Sequence, residues 1–192
     1  MKRLETENKN TREYYDQVLV SHFEEQGLDY TAAARIQILL KIFPGGKLLD
    51  IGCGISPLCL DATTWNDSEI WGMDFSEKII SILKEKYPNI NYVVGEFNKM
   101  PFEDEYFDCV ILGEIIEHVE HPKRVIEEAF RVLKKGGWFA LSTPNEETKD
   151  NHIDEQHIWG FEQKDMKELI GEARLLGITI WSNNIIAYAQ KN

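Results

Sequence analysis

The chain alternates between short apolar runs and longer segments in which apolar residues recur every three or four positions. The apolar runs predict strands over 47–51, 69–73, 91–94, 107–112 and 138–142. The longer segments predict helices over 14–42, from 56, and over 76–86, 123–133 and 163–174. Strands that alternate with helices are typical of crossover connections, which join parallel strands of one sheet.

Two further β-rich runs lie at the end of the chain, in "ITIWSNNIIAYAQ", and the polar residues between them predict a tight antiparallel hairpin at the sheet edge. The expected fold class is therefore α/β: a doubly wound, mostly parallel seven-stranded sheet with an antiparallel last strand and helices on both faces. We expect one domain over 1–192, with a flexible polar segment over 1–11 and an N-terminal helical cap over 12–43.

Composition narrows the function classes. The 192 residues are 43% hydrophobic, which is enough for one buried core, and the net charge of -12 disfavours a surface that neutralises nucleic-acid phosphates without excluding a local basic groove. The three cysteines form no C-x-x-C pair, which indicates a reducing compartment. The sequence has no signal-like apolar segment and no membrane-span-length run, so we expect a cytoplasmic location without membrane insertion. The oligomeric state stays open.

The segment "KLLDIGCGIS" combines a buried strand with a glycine bend. Asp50 ends the apolar run, and Gly52 and Gly54 follow it, so bare backbone can face a ligand. Asp74 ends the next strand, 20 positions after Gly54, where a carboxylate can accept hydrogen bonds from two ribose hydroxyls. A dinucleotide site asks for a third glycine where this chain has Pro57, which counts against NAD or FAD. A phosphate-free adenosine ligand such as S-adenosylmethionine fits this pattern.

Over roughly residues 35–190 the chain resembles the class I S-adenosylmethionine-dependent methyltransferases. "LLDIGCG" is similar to their first motif and "WGMDFS" to the second. "VVGEFNKMPFEDEYFDCVIL" is similar to the third and fourth, and "EAFRVLKKGGWFALSTPN" to the helix and strand that follow. Four matches in order are a strong signal, and they imply S-adenosylmethionine as cofactor and S-adenosylhomocysteine as product.

The resemblance also implies cofactor-binding residues. The pocket for the methionine end would be shaped by Asp50, Gly52, Cys53 and Gly54. The ribose would be held by Asp74, and the adenine would lie against Phe75. Glu96, where the family usually has aspartate, would accept from the adenine amino group beside Phe97. Core packing is an equal alternative for the two phenylalanines.

A second informative stretch, "GEIIEHVEHP", follows the fourth strand. In a helical turn Glu114, Glu117 and His118 share one face, at the sheet edge where α/β proteins place chemistry. Two acids and an imidazole can bind a divalent cation or accept a proton, and we expect His118 and Glu114 to be catalytic.

The E-x-x-E-H pattern is similar to that of ubiquinone-biosynthesis O-methyltransferases and of metal-dependent 2'-O-methyltransferases that act on the 3' end of small RNAs. The RNA enzymes imply metal ligands at Glu114, Glu117 and His118, with His157 or His152 as the fourth. The other interpretation is a hydrogen-bonded pocket rim without metal.

The polar stretch "STPNEETKDNHIDEQHIWGFEQKDM" is long enough to cover a substrate. Asn145, His157 and Trp159 are the candidate substrate residues in it, together with Tyr15 from the N-terminal helices. Anchoring of the loop is an equal alternative for Trp159.

The sequence thus supports methyl transfer from S-adenosylmethionine to an oxygen of a small-molecule acceptor. One alternative is a metal-dependent RNA ribose 2'-O-methyltransferase, which the acidic composition disfavours. A second is a module that binds S-adenosylmethionine without catalysis. An NAD-dependent oxidoreductase is a distant fourth.

Overall fold

The computed structural model describes residues 1–26, 45–55, 68–147, 156–181 and 183–192. Its helices are α1 (Arg12–Gln26), α2 (Glu77–Lys86), α3 (Pro122–Val132) and α4 (Asp165–Ile170). Its strands are β1 (Lys2–Arg3), β2 (Lys47–Ile51), β3 (Glu69–Asp74), β4 (Asn91–Val94), β5 (Phe107–Gly113), β6 (Leu133–Pro144), β7 (Trp159–Gly160), β8 (Arg174–Trp181) and β9 (Asn184–Gln190). The predicted helix from Ser56 and positions 27–43 of the predicted cap lie outside the described residues.

The main sheet has seven strands in the order β4-β3-β2-β5-β6-β9-β8. The first five run parallel, and β9 is antiparallel to both neighbours, as the sequence predicts. The chain builds outward from β2 to β4 and then returns to place β5 on the other side of β2. The order therefore reverses at β2, and open α/β sheets bind ligands at the carboxyl ends of the strands at such a reversal.

Alternation along the strands separates two hydrophobic layers. In β2, Leu48 belongs to one layer while Leu49 and Ile51 belong to the other. Helix α2 and Phe23 of α1 cover the first layer, and α3 and α4 cover the second. Both faces of the central strands are therefore buried, and this explains why these strands read as continuous apolar runs.

Local signals set the helix ends. The Ser76 hydroxyl accepts a hydrogen bond from the backbone N–H of Ile79 and begins α2, and Pro122 begins α3. Helix α4 is shorter than the predicted 163–174 because Gly171 takes a left-handed φ of 65° and ends it. Among the described residues, no helix has the length and apolar character that a membrane span needs.

The N-terminal segment, for which the sequence predicts flexibility, contacts the rest of the chain. Strand β1 pairs antiparallel with β7, so that Lys2 lies opposite Gly160 and Arg3 opposite Trp159. The Arg3 guanidinium also lies 5.2 Å from the Trp159 ring centre and 3.0 Å from the Glu120 carboxylate. No pattern in the sequence indicates this pairing, because a polar segment has no hydrophobic periodicity although its backbone can still pair with a strand.

Candidate active site

The bend after β2 is built from left-handed glycines. Gly52 has a φ of 69° and Gly54 a φ of 43°. The backbone N–H groups of Gly52 and Cys53 both donate to the carbonyl oxygen of Met73, at 2.7 and 3.0 Å. A Cβ on Gly52 would stand 2.1 Å from the Ile115 Cδ1 atom. The tight turn and the approach of the next loop both require glycine there.

Asp74 ends β3 beside this bend and is only 3% exposed. One carboxylate oxygen accepts from the Gly54 N–H at 3.0 Å, and the other accepts from the Ser76 N–H at 2.9 Å. Burial raises the pKa of Asp74 to about 6, and backbone donors at Ser76, Gly54 and Phe75 offset part of that rise. The carboxylate is therefore held in one orientation, between the glycine bend and the start of α2.

A cavity of about 430 Å³ opens at the carboxyl ends of β2, β3 and β5. Six of the residues predicted to bind the cofactor line it: Gly52, Gly54, Asp74, Phe75, Glu96 and Phe97. Asp50 and Cys53 do not line it, because both side chains are about 1% exposed beneath the bend. The structure thus brings most of the sequence-predicted set into one hollow and leaves the other two as supports.

Glu96 stands at the mouth of the cavity, and its side chain is 62% exposed. Its carboxylate lies 2.8 Å from the Arg12 guanidinium of α1. The same guanidinium lies 5.9 Å from the centre of the Phe75 ring. Helix α1 therefore covers the place that the resemblance assigns to the adenine.

Half-buried aromatic rings line one wall of the cavity. The Phe97 and Phe75 ring centres are 5.4 Å apart, Phe75 and Tyr15 are 5.4 Å apart, and Tyr15 and His118 are 6.2 Å apart. All three pairs meet edge to face, which aromatic rings favour. The wall connects the predicted adenine end of the cavity to the predicted catalytic histidine.

The segment after β5 is a turn and not the predicted helical face. Glu114 has a left-handed φ of 54°, which a helix does not allow. Its carboxylate accepts from the Ser142 hydroxyl at 2.7 Å, whereas that of Glu117 accepts from the Thr143 hydroxyl at 3.0 Å. Glu114 and His118 line the cavity, and Glu117 is buried behind it. The two acids therefore do not share one face.

Three of the predicted metal ligands meet nonetheless. Single ligand atoms of Glu117, His118 and His157 lie within 4.8 Å of one another, and Glu114 is not part of this group. The His118 and His157 ring centres are 4.8 Å apart. The alternative fourth ligand, His152, lies outside the described residues.

Of the four predicted substrate residues, one lines the cavity and three do not. Tyr15 lines the cavity, and His157 lies behind His118. Asn145 is 2% exposed, and its side chain accepts from the Glu147 N–H. The indole N–H of Trp159 donates to the Val119 carbonyl. Neither Asn145 nor Trp159 lines the cavity, and these hydrogen bonds hold both side chains away from it.

Several residues that line the cavity were not predicted from the sequence. Asn8 and Asn10 come from the N-terminal segment, and Gln156 comes from the segment before β7. Their side chains are polar and follow no motif, so no pattern in the sequence could have singled them out.

Residues 49–141 match the family model described as a methyltransferase domain. The match begins at β2 and ends inside β6, so it contains the glycine bend, Asp74 and the turn after β5. The match covers a little under half of the chain, and it supports a class I S-adenosylmethionine-dependent methyltransferase. The predicted resemblance and the predicted fold class are thereby confirmed.

Two curated relatives show how far this sequence lies from known methyltransferases. The chain is 30% identical over 106 residues to a demethylmenaquinone methyltransferase of Bacillus mycoides, and the match covers 52% of this chain and 45% of that protein. It is 33% identical over 134 residues to squalene methyltransferase 1 of Botryococcus braunii, covering 62% of this chain and 35% of that protein. The chain thus spans less than half the length of either relative.

Solved structures share the fold. A Haloferax volcanii methyltransferase, in complex with the Trm112 methyltransferase activator, superposes with a TM-score of 0.76 at 17% identity and covers 93% of this chain and 96% of that one. An S-adenosylmethionine-dependent methyltransferase from Aquifex aeolicus superposes with a TM-score of 0.72 at 16% identity, covering 96% and 100%. At such identities the likeness shows the fold alone.

The residues present fit the family's cofactor. The left-handed φ of 43° at Gly54 favours glycine and turns the backbone N–H of this residue toward the Asp74 carboxylate, so the bend and the acid lie side by side in the cavity. Asp74 offers oxygen acceptors suited to ribose hydroxyls, and the bare bend leaves room for an amino-acid tail.

Proposed function

We propose that this protein transfers the methyl group of S-adenosylmethionine to an oxygen of a small-molecule acceptor. One observation carries the proposal: a single cavity contains the glycine bend, the buried Asp74 carboxylate and the His118 imidazole. The first two suit the cofactor. The third is a proton acceptor at the other end of the aromatic wall from Phe97, where an acceptor hydroxyl would lie.

The residues of the chain have separate tasks in this mechanism. Asp74 holds the ribose, and the bend from Gly52 to Gly54 receives the amino-acid end. The rings of Tyr15 and Phe75 close the cavity against water. Fixing two reactants in line can remove roughly 7–11 kcal/mol of a barrier, so orientation is the main contribution of the protein.

Proton transfer completes the reaction. S-adenosylmethionine supplies a methyl group on a sulfonium, whose sulfur keeps the electron pair of the broken S–C bond. A new O–C bond forms at the acceptor, and His118 takes the proton that the hydroxyl loses. Glu114, which also lines the cavity, is held by the Ser142 hydroxyl and keeps negative charge near the resulting imidazolium.

The names of the relatives support a small acceptor. Both the demethylmenaquinone and the squalene enzyme are named for small apolar molecules. Squalene is a hydrocarbon, so carbon acceptors belong in any test beside oxygen and nitrogen acceptors.

The test measures cofactor binding and methyl transfer separately. A panel of phenols, hydroquinones, carboxylic acids, amines and alkenes is incubated with labelled S-adenosylmethionine. His118→Ala should lower turnover by about 10²–10⁴-fold, because it removes a general base, and should leave the Kd for S-adenosylhomocysteine unchanged within a few-fold. His22→Ala, in α1, is the matched histidine control.

Two results would count against the proposal. Equal turnover by the wild type and His118→Ala would remove His118 from the mechanism. Tight S-adenosylhomocysteine binding without transfer to any acceptor would favour the alternative of a non-catalytic binding module.

A second candidate function rests on the group of Glu117, His118 and His157. A divalent cation held by these three side chains would lower the pKa of an acceptor hydroxyl, and this chemistry suits a ribose 2'-hydroxyl at an RNA 3' end. The net charge of -12 weighs against RNA. Calorimetric titration with Mn²⁺ or Zn²⁺, with His157→Ala as the comparison, tests the cation. Transfer to an RNA oligonucleotide tests the substrate.

A further inference from the structure

The N-terminal strap, residues 1–11, lies along the segment that precedes and contains β7. Beyond the β1–β7 pairing, the Leu4 N–H donates to the Ile158 carbonyl at 3.0 Å. The Thr6 hydroxyl donates to the His157 carbonyl at 2.7 Å. The Asn10 side-chain amide donates to the Gln156 carbonyl at 2.8 Å. The strap therefore holds three successive carbonyl groups of this segment in place.

The Gln156 carbonyl also faces the predicted base. The Nδ1 atom of His118 lies 3.2 Å from the Gln156 oxygen. A carbonyl oxygen has no proton to give, so the Nδ1 atom must be the donor. In neutral His118 the proton then sits on Nδ1, and Nε2 carries the lone pair that can accept a proton. A neutral histidine side chain in water favours the other tautomer, with the proton on Nε2.

Asn10 suits its place because an amide both donates and accepts. The Tyr15 hydroxyl donates to the Asn10 Oδ1 atom at 2.8 Å. That bond orients the amide so that its Nδ2 group points at the Gln156 oxygen. The oxygen accepts two hydrogen bonds, one from Asn10 and one from His118, which its two lone pairs allow. All four residues line the cavity.

We propose that Asn10 is a positioning residue for methyl transfer: by holding the Gln156 carbonyl, it keeps the His118 proton on Nδ1 and leaves Nε2 as the base. This inference rests on the proposed function, in which His118 takes the acceptor proton. It assigns to the N-terminal strap a part in catalysis, through a residue that does not itself touch the reacting atoms.

The direct test is the tautomer of His118, which can be measured without any acceptor. In ¹⁵N-labelled protein the two imidazole nitrogens of each of the five histidines have distinct chemical shifts, and His118→Gln identifies the His118 signals. The wild type should show His118 protonated on Nδ1. Asn10→Ala should shift it toward the Nε2–H form. Thr6→Ala, which removes a strap bond to the neighbouring carbonyl, should leave the tautomer as in the wild type.

Kinetics supply the second readout. Asn10→Ala should lower kcat at least about tenfold through misplacement of the base, with KM and the Kd for S-adenosylhomocysteine within about threefold. Asn10→Gln, which keeps the amide, should recover part of the loss, and unchanged thermal melting shows that a variant folds.

Wild-type His118 protonated on Nε2 would overturn the inference, as would Asn10→Ala with an unchanged tautomer. If the Nδ1–H form is found and depends on Asn10 but His118→Ala retains full turnover, the hydrogen-bond relay stands as structure and the proposed function fails.

Discussion

Asp74 should make cofactor affinity depend on pH. Its carboxyl group is 3% exposed, and burial raises its pKa to about 6. Only the ionised form offers both oxygens as acceptors, because a protonated carboxyl places a hydrogen on one of them. S-adenosylhomocysteine should therefore bind more weakly as the pH falls through about 6.

The size of the effect follows from the number of bonds. Hydrogen bonds to a charged group contribute about 1.5–3 kcal/mol each, so two from the ribose contribute roughly 3–6 kcal/mol. Asp74→Asn should then weaken binding by about 10²–10⁴-fold at pH 8. For the wild type, a pKa near 6 leaves about a tenth of Asp74 ionised at pH 5, so the Kd should rise about tenfold between pH 8 and pH 5.

The same pKa has the opposite consequence for stability. Because the folded pKa lies above the ordinary 3.8, the folded state keeps a proton that the unfolded chain has lost between about pH 4 and 6. The stability that Asp74 contributes is thus fully present below pH 4 and falls by about 3 kcal/mol as the pH rises through 6. Asp74→Asn should remove this dependence, which denaturant unfolding at pH 4, 5, 6 and 7 would measure.

Isothermal titration of S-adenosylhomocysteine at pH 5, 6, 7 and 8 is the decisive assay for binding. The wild type and His118→Ala should show the same slope, because His118 has no part in holding the ribose. Asp74→Asn should give weak, nearly flat binding. A wild-type Kd that stays constant from pH 5 to 8, or an Asp74→Asn variant that keeps the wild-type slope, would refute the reasoning.

Two further predictions concern stability. Gly52→Ala adds a left-handed backbone strain of about 1–2 kcal/mol and a clash with Ile115 that costs about 1–3 kcal/mol more. Its melting temperature should therefore fall further than that of Gly136→Ala, where φ is 73° but no atom lies within 4 Å of the added Cβ. Equal falls in melting temperature would contradict the clash. Arg131→Met should lower the free energy of unfolding in denaturant by about 1–3 kcal/mol, because it removes the hydrogen bonds from the guanidinium to Glu128 and to two backbone carbonyls. Arg131→Lys should have an intermediate stability. Unchanged stability of Arg131→Met would show that these hydrogen bonds are dispensable.

The strands and the cofactor half of the site could be predicted because their signals are local. Leu48 and Leu49 point to opposite faces by the two-residue period of a strand, and β2 is found at the predicted positions. Gly52 and Asp74 stand at strand ends, and parallel strands bring their carboxyl ends to one edge whatever their order. The predicted meeting of the glycine bend with Asp74 therefore needed no knowledge of distant contacts.

The geometry of the candidate acceptor half of the site was less predictable from the sequence. Glu114, Glu117 and His118 have helical spacing, yet the left-handed φ of Glu114 and the hydroxyls of Ser142 and Thr143 turn the two acids in different directions. These hydroxyls come from β6, 28 and 26 residues later in the chain than the acids that they contact. Spacing within ten residues carries no information about such partners.

The sequence by itself determined the seven strands of the main sheet, the doubly wound fold class, and the acid and glycines that suit a nucleoside. Only the tertiary structure decided that the polar N-terminus lies against the segment before β7, and that Asn10 and His118 meet at one carbonyl. The physical reason is distance along the chain. Periodicity reports which face of an element is buried, whereas a hydrogen bond between residues 146 positions apart exists only after both segments have packed.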